Sequence, residues 1–380
     1  MIEKGRRVSV FNQAYGPHLR EVACALAEAG AHCTVHTGRD WKAKGTFPER
    51  VVVIDAPPLN RKSVAGRFLS WLSYSVAATR YLLRCDRHDS VMLFSNPPIL
   101  PFFGWVCSLV RGYRYSVFVY DIYPDVLTAM GMGKDNLLVR AWRRFNRTVY
   151  QRAFAVITIG NVMAAALARQ FDPTRTSVGK VLVSRIWIDS QPAAIKPENK
   201  PVTVLFVGNV GMTHDMQTVL GAARLLGPEC GIGFLFIASG TGAEALGQAS
   251  RDLGNVRVLG WQPEERMPLI WASAEIALIT LRSGLEQCSF PSKTAFALSA
   301  GCAIVGLTET PSDLADIIGR KNCGTVIKPG DVDGLVRFLT AMAGDPSRLE
   351  EYRARARETA EQYFDRSGNV AALLESVPEF

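Results

Sequence analysis

A lysine two residues beyond a proline, in the run Ser289-Phe290-Pro291-Ser292-Lys293-Thr294, has the types and spacing to bind phosphate. Pro291 suits a helix start, and a helix amino terminus offers unpaired N–H groups at the positive end of its dipole. Lys293 would add a full charge there, with Ser292 as a further donor. A Ser-capped helix carrying a solvated lysine fits the same residues. Two glycine turns lie upstream, Gly208-Asn209-Val210-Gly211 and Gly240-Thr241-Gly242. Each follows a short apolar run, and glycine lets a backbone approach an anion closely.

Nearer the amino terminus, Gly16 and His18 occupy a turn that precedes a helix, and Asp121 and Asp125 follow the apolar run Tyr115–Tyr120. An α/β enzyme places polar groups at the carboxyl ends of its strands. Asp121 could there orient a substrate hydroxyl, or accept its proton if burial raised its pKa. Capping the next turn, or pairing with a nearby arginine, fits Asp121 equally well.

Positioning such groups requires strands that end at them. Arg7–Phe11, a turn, a helix from about His18 to Ala29 and the strand Cys33–Thr37 open the first half. Val202–Val207, the glycine turn, a helix over Met216–Leu226 and the strand Gly233–Ala238 open the second in the same way. That unit begins a doubly wound parallel sheet. The expected fold is therefore α/β, with two Rossmann-like domains: 1–188, a proline-containing linker at 189–201, and 202–364. A last helix within 365–380, Val370 to Val377, is expected to return to the first domain.

Charge divides unevenly along this frame. Residues 1–190 carry 26 Lys and Arg against 13 Asp and Glu, whereas residues 191–380 carry 17 against 22. The first half is thus at +13 and the second at −5, which points to an anionic partner for the first. Much of the excess lies in 61–87 and 140–152. Within 59–84, Val64, Phe68, Leu72 and Val76 fall near one face, with Arg61, Lys62, Arg67, Arg80 and Arg84 towards the ends. Such a helix suits the headgroup zone of an anionic membrane, although a core helix with solvated ends also fits. No nucleic-acid-binding motif accompanies the charge, so nucleic acid is not expected as a partner. Eight cysteines without a Cys-x-x-Cys pair indicate no zinc knuckle, and the apolar run at Val8–Phe11 is too short for a signal peptide. The longest uncharged apolar stretches fall short of the roughly 20 residues that a spanning helix needs. The expected location is cytoplasmic.

The order Gly208–Gly211, Gly240–Gly242, Val256-Arg-Val-Leu-Gly-Trp-Gln-Pro263 and Pro291-Ser-Lys293 followed by Ala300-Gly301 resembles the donor domain of GT-B glycosyltransferases. Within these the chain is similar to the retaining family 4 group that builds bacterial surface polysaccharides. Ser95-Asn-Pro-Pro98 and Tyr120-Asp-Ile-Tyr-Pro-Asp125, with Met130-Gly-Met132 beyond, resemble segments of the same group in its other domain. The resemblance implies two domains facing a central cleft that holds a nucleotide-sugar, with UDP as the expected nucleotide. It implies a lipid-diphosphate-linked saccharide as acceptor, at the inner face of the cell membrane. Lys293, Arg282 and the N–H groups of 208–211 would stabilise the diphosphate leaving group, so that no metal cofactor is required. Gly16, His18, Asp121 and Asp125 would face the acceptor, with Asp121 and Lys293 as the catalytic pair. The chain departs from the group at two places. The group often carries Glu-x7-Glu here, its second Glu gripping the ribose. This chain has Glu286, which the resemblance assigns to donor binding, but Thr294 eight residues beyond it and Phe296 in the aligned region. Met212-Thr213-His214-Asp215 offers only His214 as a cation. A sugar-nucleotide 2-epimerase of the same fold, or a non-catalytic binding partner, would share most of these features.

Overall fold

The computed structural model describes residues 5–43, 46–60, 63–131, 136–171, 180–185, 201–211, 214–240 and 242–378. The expected linker, apart from Pro201, lies outside them, as do Arg61, Lys62, Met132, Met212, Thr213 and Thr241. The chain divides into two units. One comprises residues 1–185 with 367–380, and the other residues 186–366.

In the first unit the strands are β1 (Arg7–Phe11), β2 (His32–Gly38), β3 (Val51–Ala56), β4 (Ser90–Phe94), β5 (Arg114–Val119), β6 (Ala155–Thr158) and β7 (Lys180–Val183). They form one sheet in the order β3-β2-β1-β4-β5-β6-β7, with every neighbouring pair parallel. The second unit holds β8 (Val202–Asn209), β9 (Ile232–Ser239), β10 (Val256–Leu259), β11 (Ile276–Thr280), β12 (Ala303–Leu307) and β13 (Gly324–Ile327). Its order is β10-β9-β8-β11-β12-β13, again parallel throughout. Strands covered on both faces read as continuous apolar runs, as β4, β6, β11 and β12 do, and all their residues are buried.

Both sheets reverse direction beside their first strand, and open α/β sheets bind ligands at the carboxyl ends there. The two reversal points differ. β1 pairs with β4 from Val8 to Phe11, along nearly its whole length. β8 pairs with β11 only at Val204 and Leu205, opposite Ile276 and Ala277. β8 runs on to Asn209 and β11 to Thr280, so these two strands part at their carboxyl ends.

The last helix spans Arg366–Glu375 and so starts four residues before the expected Val370. Its first turn is polar and lacks apolar periodicity, yet Asn369 ties it down. Ser184 Oγ donates to the Asn369 carbonyl at 2.9 Å, and the Arg185 N–H donates to its side chain at 2.6 Å. Ser116 Oγ also donates to the carbonyl of Ser376, which places this segment against β5 and β7 of the first unit.

Candidate functional site

The parting of β8 and β11 frames the polar cluster of the second unit. Strand alternation puts Phe206 and Gly208 on one face of β8. The Lys293 side chain, at the first residue of the Lys293–Ser299 helix, runs back across that face. Its Nζ sits 4.3 Å from the Phe206 ring centroid, a cation–π arrangement. Gly208 has φ +153°, and a Cβ there would stand 2.5 Å from Nζ. Glycine is therefore what lets the amine lie against the strand end. Nζ is sequestered from solvent and has no hydrogen-bond partner among the described residues. Burial pushes its pKa down to about 7. Thr294 Oγ1, next in sequence, is likewise buried and unpartnered.

His214 closes the other side. Its Nδ1 lies 2.8 Å from Thr280 Oγ1 at the end of β11, and its ring meets Phe206 edge-on. Burial first, and then the charge of Lys293, lower its pKa to about 4. His214 is thus neutral near pH 7, which corrects the expectation that it supplies a cation. The group here that can carry positive charge near pH 7 is the Lys293 amine. Gly240 approaches so closely that any Cβ on it would collide with the Asn209 side-chain oxygen. The Val210 N–H donates to the Ser239 carbonyl and the Gly242 N–H to the Val210 carbonyl, so the two glycine turns are laced together.

Ser292 is exposed and makes no capping bond, so the solvated lysine on a Ser-capped helix is not what forms. Glu286 accepts the Gly284 N–H through both oxygens, at 2.8 and 2.9 Å, within its own loop. Arg282 is exposed, Gly211 and Phe296 half-buried.

In the first unit, the carboxyl ends of β1, β4 and β5 are stitched together. The Gln13 N–H donates to Asn96 O at 2.9 Å, and the Tyr120 N–H to Ser95 Oγ at 3.0 Å. Gly16 is the N-cap of the Pro17–Glu28 helix, which puts His18 in its first turn. His18 Nδ1 lies 2.7 Å from Tyr120 OH, and its ring meets the Phe118 and Tyr120 rings edge-on. Burial lowers the His18 pKa to about 3 and raises that of the Tyr120 hydroxyl. Both therefore stay neutral, a hydrogen-bonding pair rather than a charged one. Asp121 follows β5, half-buried. Asp125 is instead paired with Arg143, whose Nε and Nη2 lie 2.9 and 2.8 Å from Oδ1. Its carboxylate is engaged on the helix side.

Two family models match the chain, a glycosyl transferase 4-like domain over residues 14–178 and glycosyl transferases group 1 over residues 201–345. The chain belongs to this glycosyltransferase family. A probable glycosyltransferase of Pseudomonas aeruginosa, WbjE, is 23% identical over 297 residues, covering 74% of this chain and 73% of that protein. Among solved structures, HepE of Anabaena with UDP and glucose bound superposes with a TM-score of 0.70 at 15% identity, over 97% of this chain and 98% of that one. Sucrose-phosphate synthase of Thermosynechococcus elongatus gives 0.72 at 13% identity, over 96% of each chain. These superpositions establish the GT-B fold of the glycosyltransferase.

Phe206, Thr280, Thr294 and Tyr120 were not singled out from the glycosyltransferase sequence. The two-residue spacing of Phe206 and Gly208 carried a signal, since it places them on one face of a strand that ends at a glycine turn. Replacing Gly208 by Ala tests this geometry. The new Cβ must displace the amine and adopt a disfavoured φ, so the expected cost is about 1–3 kcal/mol of stability. Binding of inorganic diphosphate, used as a probe of the amine, should fall by roughly tenfold or more. At Gly211 an added Cβ meets nothing within 4 Å, so Gly211→Ala should unfold like wild type. Denaturant unfolding and titration calorimetry read both effects.

Proposed function

We propose that the glycosyltransferase moves a sugar, with retention, from a UDP-sugar to a lipid-diphosphate-linked saccharide. The donor is held by the second unit at the parted ends of β8 and β11. The observation that carries this reading is Lys293 Nζ, a buried amine with no anion beside it among the described residues. A diphosphate supplies the missing charge. As the bond from the anomeric carbon to the diphosphate oxygen breaks, negative charge grows on that oxygen. A preplaced ammonium then stabilises the transition state more than the ground state. Lys293 and nearby N–H groups meet this demand, so the reading needs no metal cofactor.

The acceptor hydroxyl is assigned to the first unit, near Gly16, His18 and Asp121, with Asp121 orienting it. Asp125, at the start of the Asp125–Ala129 helix, supports that region through Arg143. An acceptor on a lipid diphosphate accords with the +13 charge of the first half and the −5 of the second. Enzyme, membrane extract and a panel of sugar nucleotides should together release UDP from one donor, and omitting the extract should abolish release. A 2-epimerase of the same fold would convert its donor without any extract. Silence across the panel, with a working relative run in parallel, would overturn the reading.

A further inference from the structure

Three helices, Val64–Leu82, Leu100–Arg111 and Leu137–Arg152, follow β3, β4 and β5 in the first unit. The strands they lead to, β4, β5 and β6, each lie further along the sheet in the same direction. Right-handed crossovers therefore set all three helices on one face, and each packs on the next. Their inner sides are buried in the ordinary way, through Trp71, Tyr74 and Leu82 on the first and Val149 and Tyr150 on the third.

The outer sides are apolar as well. The first helix exposes Phe68, Leu69, Leu72 and Val76. The second exposes Phe102, Val106, Leu109 and Val110, the last at 74%. The third exposes Leu137 at 81%, Leu138 at 79% and Phe145. Phe102 and Phe145 touch, with centroids 5.7 Å apart, which joins the outer surfaces of the second and third helices. Beyond this face and its margins, the large apolar side chains exposed among the described residues are Val52, Leu225, Trp261 and Leu269. A patch of this kind marks an interaction site.

Charge selects the occupant. The three helices carry eight arginines and no Asp or Glu. Arg143 is paired with Asp125, whereas Arg80, Arg111, Arg140, Arg144 and Arg147 are exposed. A partner must therefore be apolar in its body and anionic at its surface, which describes an acidic phospholipid layer. No helix among the described residues is long and apolar enough to cross a membrane, so the face lies on the layer. The helices start at the carboxyl ends of the strands, so Phe68, Leu69, Leu137 and Leu138 share the end of the first unit that carries His18 and Asp121.

We propose that this three-helix face inserts into an anionic lipid bilayer, its leucine and phenylalanine side chains reaching the acyl boundary and its arginines meeting the headgroups. The inference deepens the proposed function, because a lipid-linked acceptor has to be met at a membrane. It also differs from charge adsorption of the 59–84 segment alone. Flotation with vesicles of phosphatidylglycerol and phosphatidylcholine tests it. Wild type should float, and should keep part of its binding in about 1 M salt, where screening acts over about 3 Å. Leu137→Asp/Leu138→Asp and Leu109→Asp/Val110→Asp should each lower partitioning by roughly tenfold or more. Leu225→Asp/Leu269→Asp, in the other unit, should float as wild type does. Circular dichroism and UDP binding confirm that each variant is folded. Wild type that stays at the bottom, binding lost entirely in high salt, or folded face variants that float normally would each overturn the inference. So would a wild-type dimer that the face variants dissociate while flotation is unchanged. Transfer that fails while flotation persists would count against the function alone.

Discussion

Replacing Lys293 by Ala is expected to lower kcat by about 10²–10³-fold, the usual loss when one preorganised donor to a developing oxyanion is removed. The effect should fall on kcat and on UDP affinity together, because in the proposed reaction the same ammonium meets the diphosphate before and during bond cleavage. Lys293→Arg should not rescue activity, since Gly208 and Phe206 leave Nζ no room for a larger planar group. pH gives an independent readout. In the free enzyme the amine titrates near 7, below its ordinary 10.5, because burial disfavours the charged form. UDP binding demands the charged form, so affinity should weaken as pH rises above about 7, by up to about tenfold per pH unit. Stability of the ligand-free protein should move the other way. Between about 7 and 10.5 the unfolded chain holds a proton that the folded chain has released. Stability therefore rises with pH across that window. The difference between wild type and Lys293→Met in a thermal unfolding series isolates this contribution. A flat difference would show that the amine is not desolvated.

Phe118→Ala should be the most damaging single change in the first unit, costing about 3–5 kcal/mol. Phe118 is fully buried in β5, stacked on Phe94 at 4.8 Å, with the rings of His18 and Tyr120 at 5.4 and 5.2 Å. Truncation removes one wall of that cluster and frees the His18–Tyr120 pair, so activity should fail even where the fold survives. The unfolding temperature of the first unit should drop by about 6–20 °C. Phe118→Leu, which keeps most of the volume, should cost less than about 1.5 kcal/mol. UDP binding should persist in both variants, since Lys293, Phe206 and His214 all belong to the second unit. A Phe118→Ala cost below about 1 kcal/mol would mean that the surrounding rings close the gap.

Much of the fold was legible because parallel strands buried on both faces announce themselves as apolar runs. Glycine turns marked where two of them stop. The position of Lys293 was also within reach, since its place after Pro291 puts it at the start of a helix. Its desolvation was not, because that depends on the ring of Phe206 and the missing side chain of Gly208, on a strand far away in sequence. His214 was misjudged for the same reason, since its neutrality arises from Thr280, Phe206 and Lys293 together. Asp125 finds Arg143 one helix later, and only packing shows which of several arginines takes it. The exposed side of Val64–Leu82 was open to two readings, because an apolar stripe does not reveal what it packs against. Leu100–Arg111 and Leu137–Arg152 lie beside it, and their outer surfaces are apolar too.

The return of Ser367–Pro378 to the first sheet makes the second unit an insertion within the first. During synthesis, residues 186–366 leave the ribosome before the middle of β5 and the end of β7 receive their final partners. The second unit's chain is then complete while the first unit still lacks its last segment. Ser116, Ser184 and the Arg185 N–H lack their partners until Asn369 and Ser376 emerge. Completion of the first unit therefore has to wait until the chain of the second has been made.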